Sequence, residues 1–277
     1  MNIIKRLALL MAIISTSFFT NANETQHQEL DNDEESGFHW ELDLGVVAFY
    51  QQSLIESLAE YDKEIGINVV ASGGIYFDNF FAEVAPYSGR PFTFGYTLHK
   101  SETRQLNLVA ESHFFEISEE EQENGNLLDG INTRESSMEV GVEYFGILKK
   151  YDFRLTLLHD ALNEHNGTIA RADISRPYFT KYVMFVPGIS VTYIDENATD
   201  YYYGVSPEEA TSYRPAYKAD SALITTARLY VERPIDEDWS VIAAASYSAF
   251  SDAINDSPIV NNRNEAYNIS VGVLWTF

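Results

Sequence analysis

The 277-residue chain has no cysteine. That excludes a disulfide framework and any thiolate metal site. Basic residues are scarce: 18 Lys and Arg stand against 42 Asp and Glu, a formal net charge of −24. Bulk charge of this sign repels nucleic acid, which is therefore not expected as a partner. Nowhere do 18 apolar residues follow one another, which excludes a transmembrane helix. The run Leu7 to Ile14 is too short to span a bilayer. It follows Lys5 and Arg6 and precedes Thr20-Asn21-Ala22, the pattern of a secretory signal peptide over 1–22 cleaved after Ala22. Residues 23–37, polar and acidic without periodicity, read as a disordered periplasmic lead.

What the chain does have is aromatic side chains, 14% of residues, and alternation. In the stretch YNISVGVLWTF (267–277) every odd position is apolar or aromatic. The even positions are small or polar, Leu274 excepted. A period of two marks a strand with one apolar face. The same pattern recurs at 38–46, 138–144, 151–157, 182–193 and 239–249. In 151–157, for example, Tyr151, Phe153, Leu155 and Leu157 oppose Asp152, Arg154 and Thr156.

The connections alternate in length. The links at 146–150, 176–181 and 233–238 are short, and those at 116–133, 161–167, 195–221 and 251–264 are long. Transmembrane barrels have short periplasmic turns and longer extracellular loops. The expectation is an all-β, antiparallel up-and-down barrel over 38–277. It has twelve strands, or ten if 79–100 forms one bent strand or folds inward. A soluble lipocalin-like barrel or sandwich shows the same alternation with its apolar face turned inward. Aromatics near strand ends (Trp40, Tyr151, Trp239, Tyr247, Trp275) favour the membrane barrel. Trp275 and Phe277 on the last strand look like the signal that barrel assembly machinery reads.

Several segments resemble the MltA-interacting protein family, also called MipA/OmpV. They are DYYYGVSPEEA (200–210), DWSVIAAASYSAF (238–250), DSPIV (256–260) and the closing YNISVGVLWTF. RESSMEVGVEYFG (134–146) and HDALNEHNGTIARADIS (159–175) are similar to further family segments. The resemblance covers most of 38–277 and is specific after 134. It implies an outer-membrane location in contact with lipid and lipopolysaccharide, no cofactor and no catalytic motif. It also implies a scaffold role linking a murein lytic transglycosylase to a penicillin-binding protein. Porin-like uptake of small solutes or antibiotics and surface adhesion are the alternatives within the family.

If the apolar registers face lipid, Glu139, Glu143, Arg154, Arg171, Asp173, Arg228 and Glu232 line the lumen. They form either a paired network that fills a narrow barrel or a constriction that selects solutes. His159 and Asp160, with His165 nearby, invite a hydrolase reading. Adjacent strand residues point to opposite faces, however, and no G-x-S-x-G motif accompanies them. The acidic stretch 116–126 lacks the spacing of a calcium loop and reads as a solvated loop that could bridge cations to lipopolysaccharide. Tyr201, Tyr202, Tyr203, Tyr213 and Tyr217 lie in one long link. It is expected to bind a partner, to fold into the barrel mouth, or to complete an aromatic girdle.

Overall fold

The structure, a computed structural model, describes residues 37–52, 63–85, 90–112, 117, 128–260 and 264–277. The expected signal peptide, nearly all of the acidic lead and most of 116–126 lie outside them. The first five strands are β1 (Phe38–Gln52), β2 (Lys63–Phe77), β3 (Phe80–Ala85), β4 (Arg90–Ser101) and β5 (Arg104–Ser112). Then come β6 (Met138–Leu148), β7 (Tyr151–Asp160), β8 (Thr168–Ser175), the two-residue β9 (Tyr178–Phe179) and β10 (Met184–Ile194). The last three are β11 (Ala222–Pro234), β12 (Trp239–Phe250) and β13 (Glu265–Thr276). Two short helices, α1 (Glu196–Tyr203) and α2 (Asp252–Asn255), sit in long links.

Each long strand pairs antiparallel with its two neighbours, and β13 pairs with β1 while β8 pairs with β10. The result is a closed barrel of twelve strands, with β9 a hairpin tip on β10. Phe277 continues the last ladder, its N–H donating to Leu42 O at 3.0 Å. The ring of ladders closes, but β3 reaches only Gly73–Phe77 of β2, so residues 63–72 of β2 pair with β1 alone among the described residues. The segment 79–100 is two strands, β3 and β4, so the count is twelve rather than ten. A register shift between Glu83 and Ala85 accommodates the short β3.

The direction of the apolar face, which alternation alone leaves open, is settled by exposure. Ile65 is 81% exposed, Ile67 78% and Val69 66%, all on one face of β2. Leu155, Leu157, Ile189, Ile269 and Val271 continue this outward apolar surface around the barrel. A continuous apolar exterior of this extent is untenable in water and suits hydrocarbon. The five aromatics singled out near strand ends are all exposed on the outer surface. Trp239 and Trp275 stack with ring centroids 6.1 Å apart, and Phe277 packs 4.2 Å from Trp275. These three form part of an aromatic belt at the rim of the short turns.

Inside the barrel lie two small apolar clusters. Phe81, Val109, Leu158 and Ile169 form one. The Phe81 ring lies so close over Gly95 that a Cβ there would sit 2.0 Å from it. Glycine at 95 is thus what lets an aromatic ring fold flat into the lumen. Val47, Ile242 and Leu274 form the other cluster, with Val70 and Tyr230 packed against it. This explains Leu274, the apolar exception among the even positions of β13: it faces inward onto Val47 and Ile242.

Two elements depart from the sequence expectation. The link 195–221 begins with α1, capped by Asp195, whose side chain accepts from Ala198 N. The turn after β8 carries β9 and runs to Met184. Among the described residues the other short turns are 78–79, 102–103, 149–150 and 235–238, all at one rim together with Phe38 and Phe277.

Candidate functional site

The site is the barrel interior and the packed loops above it. Along β5 to β7 the inward parity places Asn107, Glu111, Glu139, Glu143, Arg154 and Asp160 in the lumen, while Val140, Val142, Leu155 and Leu157 face out. Glu111, Glu139 and Glu143 are essentially inaccessible to solvent. Buried carboxylates persist only with partners, and each has one. Glu111 accepts from Arg171 Nη2 at 2.6 and 2.8 Å. Glu143 lies 3.1 Å from Arg154 Nε and accepts from Asn107 Nδ2 at 2.9 Å. Glu139 lies 3.2 Å from His165 Nε2. Because His165 Nδ1 accepts the Gly167 N–H at 3.0 Å, Nε2 is the nitrogen that donates to Glu139.

On the other wall, Asp173 pairs with Arg228 at 2.5 Å. Glu232 accepts from Tyr230 OH at 2.9 Å. All seven residues expected to line the lumen lie on the inward face; six face an ion-pair or histidine partner, and Glu232 meets a tyrosine hydroxyl. His159 and Asp160 do point apart. His159 is exposed, its Nδ1 3.1 Å from Thr168 Oγ1. Asp160 is buried and accepts from Ser137 Oγ and from the backbone of Leu162, His165 and Asn166. It organises the 161–167 loop.

The described parts of the long links pack together. Ile117, Leu128 and Ile131 from the β5–β6 link pack with Val205 and Ala222 and with Ile254, Ile259 and Val260 from the β12–β13 link. This small core rests on the strand-end residues Ile194, Ile224 and Phe250. Its polar frame is built on Glu209. That carboxylate accepts from Arg134 Nη2 at 3.0 and 3.2 Å and from the N–H groups of Asn132 and Ser206, each at 2.8 Å. Arg214, fully buried, donates to Glu209 O at 2.6 Å and to Asp129 O at 2.9 Å. Tyr217 OH donates to Ala253 O at 3.0 Å, and Ser257 Oγ donates to Tyr203 O at 2.5 Å.

The tyrosine-rich link thus folds into the barrel mouth. Tyr202 is buried and packs 5.5 Å from the His165 ring, and Tyr201 OH accepts from Glu135 N at 2.8 Å. Burial pushes the Tyr203 phenol up to about 12. Of the five tyrosines proposed as a partner surface, Tyr213 alone is largely exposed, and the other four serve the cap. No cluster of potential metal ligands occurs among the described residues.

Burial raises the Glu209 carboxyl, but hydrogen bonds from Ser206 and Asn132 and the Arg134 charge outweigh it and hold it below its usual 4.5. A carboxylate depressed on folding stabilises the cap fully above its unfolded value. That contribution disappears as pH falls through the lower folded value. Acidification below about pH 4 is therefore expected to loosen the cap. Near-ultraviolet circular dichroism of the packed tyrosines should show the loss. Glu209→Gln should flatten the pH dependence.

Glu111, Arg134, Glu209 and Arg214 escaped sequence reasoning. Glu111 was findable, since it shares the inward parity of Gln105, Asn107 and Val109 on β5. The cap residues carry no periodic signal. Arg134 and Glu209, for instance, meet across 75 positions of sequence.

A closed antiparallel barrel with an apolar exterior and a polar, side-chain-filled interior is an outer-membrane β-barrel. The sequence profile of the family described as MltA-interacting protein MipA matches residues 44–277, and the chain belongs to that family. The putative outer membrane protein YiaT of Escherichia coli K12 is 28% identical over 238 residues, covering 86% of this chain and 91% of that one. The MltA-interacting protein of the same strain is 28% identical over 245 residues, covering 85% and 98%. Among solved structures, the NanC porin aligns over 84% of this chain and 100% of its own, at 10% identity and a TM-score of 0.43.

Proposed function

We propose that this barrel is a non-enzymatic anchor that holds cell-wall remodelling proteins at the inner face of the outer membrane. The observation that carries the reading is the state of the lumen. Its buried carboxylates are held by ion pairs and hydrogen bonds along the wall, and the described long links pack into a core at the mouth, which suits an anchor better than an open pore. The relative named MltA-interacting protein supports a murein lytic transglycosylase as the partner, with a penicillin-binding protein recruited alongside it. Trp275 and Phe277 serve barrel assembly.

The contact surface is the short-turn rim, where Lys149 and Lys150 and the 235–238 turn project beside the β9 hairpin. Reversing the charge of Lys149 and Lys150 together, or replacing Asp236, Glu237 and Asp238 by Gly and Ser, is expected to weaken capture of a lytic transglycosylase by barrels in nanodiscs at least tenfold. Heat-dependent gel mobility should remain unchanged, because these turns contribute nothing to the lumen. Undiminished capture in both variants would count against the rim as the docking surface. A second reading, a narrow channel, is favoured by one feature: the lumen is not completely filled beneath the cap.

A further inference from the structure

That unfilled space is a cavity of about 280 Å³ on the wall formed by β8 and β10 to β13. Its lining includes Arg171, Thr192, Thr226, Arg228, Ser246 and Asn268. The registers make these residues one surface rather than scattered points. Thr192 stands opposite Arg171, Arg228 opposite Ser246, and Ser246 opposite Asn268. Thr226 stands opposite Ser248 and hydrogen-bonds it at 2.8 Å. Gly188 faces Arg228, and a Cβ there would lie 3.0 Å from the guanidinium. Glycine at 188 therefore lets the arginine lie against the wall and leaves the space beside it open.

The chemistry of this wall differs from that of β5 to β7. There carboxylates dominate: Glu111 and Glu143 face arginines, while Glu139 and Asp160 are held by hydrogen bonds. Here the two arginines are each matched by one carboxylate, Arg171 by Glu111 and Arg228 by Asp173. The compartment is thus close to neutral but dense in hydroxyl, amide and guanidinium groups. A guanidinium has five N–H donors, and these ion pairs use only part of them. A site that presents many donors and acceptors around little net charge complements a polyhydroxylated solute rather than an ion or an apolar molecule. The volume lies just below the roughly 300–1,000 Å³ usual for ligand pockets. That limits the occupant to about a single sugar ring.

We propose that this compartment is a binding site for a small, uncharged, polyhydroxylated solute of monosaccharide size. The site lies between the cap and the apolar cluster of Val47, Ile242 and Leu274, and it does not depend on the anchor reading or on conduction.

The test is equilibrium dialysis of the folded full-length barrel in detergent against radiolabelled glucose, with gluconate and cyclohexanol as competitors. Saturable glucose binding is expected, displaced poorly by both competitors. It should weaken at least tenfold in Ser246→Leu, which fills the cavity, and several-fold in Thr226→Val, which keeps the volume and removes the hydroxyl. Both variants should retain wild-type heat-dependent mobility. The proposal is overturned if the wild type takes up no glucose saturably, or if Ser246→Leu binds as well as wild type. It is overturned equally if gluconate displaces glucose far more tightly than glucose displaces itself, since the site would then select anions.

Discussion

Arg214→Ala is expected to unfold the cap while leaving the barrel closed. Arg214 is fully buried and its guanidinium ties Glu209 O to Asp129 O, joining two links that meet nowhere in sequence. Alanine leaves both carbonyls without their charged donor and opens a void in place of a large side chain. An orphaned buried polar group costs about 1–3 kcal/mol. The two together exceed what an eight-residue apolar cluster can absorb without rearranging. The expected result is rapid proteolysis within 128–134 and 205–217 at a protease concentration that leaves the wild type intact. Heat-dependent mobility should persist, because all twelve ladders lie outside the cap. Arg214→Lys should restore little, since a point charge cannot bridge two carbonyls as a planar fork does.

The second large effect is expected in the barrel wall. Arg171→Ala removes the cation from Glu111, a carboxylate with no solvent exposure. Breaking a buried pair from one side costs about 3–5 kcal/mol, because the remaining charge is neither hydrated nor paired. The paired change Glu111→Gln with Arg171→Met should recover most of that loss, since a buried pair contributes little net stability over neutral groups of similar size. Urea unfolding of the wild type, Glu111→Gln, Arg171→Met and their double variant in lipid vesicles gives the coupling directly. A large loss in the single variant with recovery in the double identifies the pair as a lumen-filling element. Equal losses in both would point to packing alone.

The fold was largely legible because a membrane barrel states its architecture in parity. Tyr151, Leu155 and Leu157 against Arg154 and Thr156 give one strand unambiguously, and six such segments with alternating link lengths give the rest. Parity also located the lumen, so Glu143 with Arg154 and Asp173 with Arg228 could be anticipated as inward residues. It could not say which inward residue meets which. Arg171 on β8 reaches Glu111 on β5 across two intervening strands, a contact set by barrel curvature rather than by pattern.

The cap was the least legible part. Links were identified by lost alternation, and that loss carries no information about whether a segment is solvated or packed. Tyr201 to Tyr203 illustrate the difficulty. As a run of aromatics they suit a girdle or a contact surface, yet Asp195 caps a helix that turns Tyr202 inward beside His165. The buried Leu274 was visible as an exception to alternation, but its reason lies in Val47 and Ile242 on the two neighbouring strands.

The lumen is obstructed by ion-paired and hydrogen-bonded side chains beneath a packed cap. Single-channel recording of the folded protein in a planar bilayer tests this obstruction most directly. The barrel is expected to insert, as judged by heat-dependent mobility of the same preparation, yet to remain electrically silent. Discrete, reproducible conductance steps whose ion selectivity shifts with Arg154→Ala or Arg228→Ala would contradict the obstruction and make the charged column a filter instead of a plug.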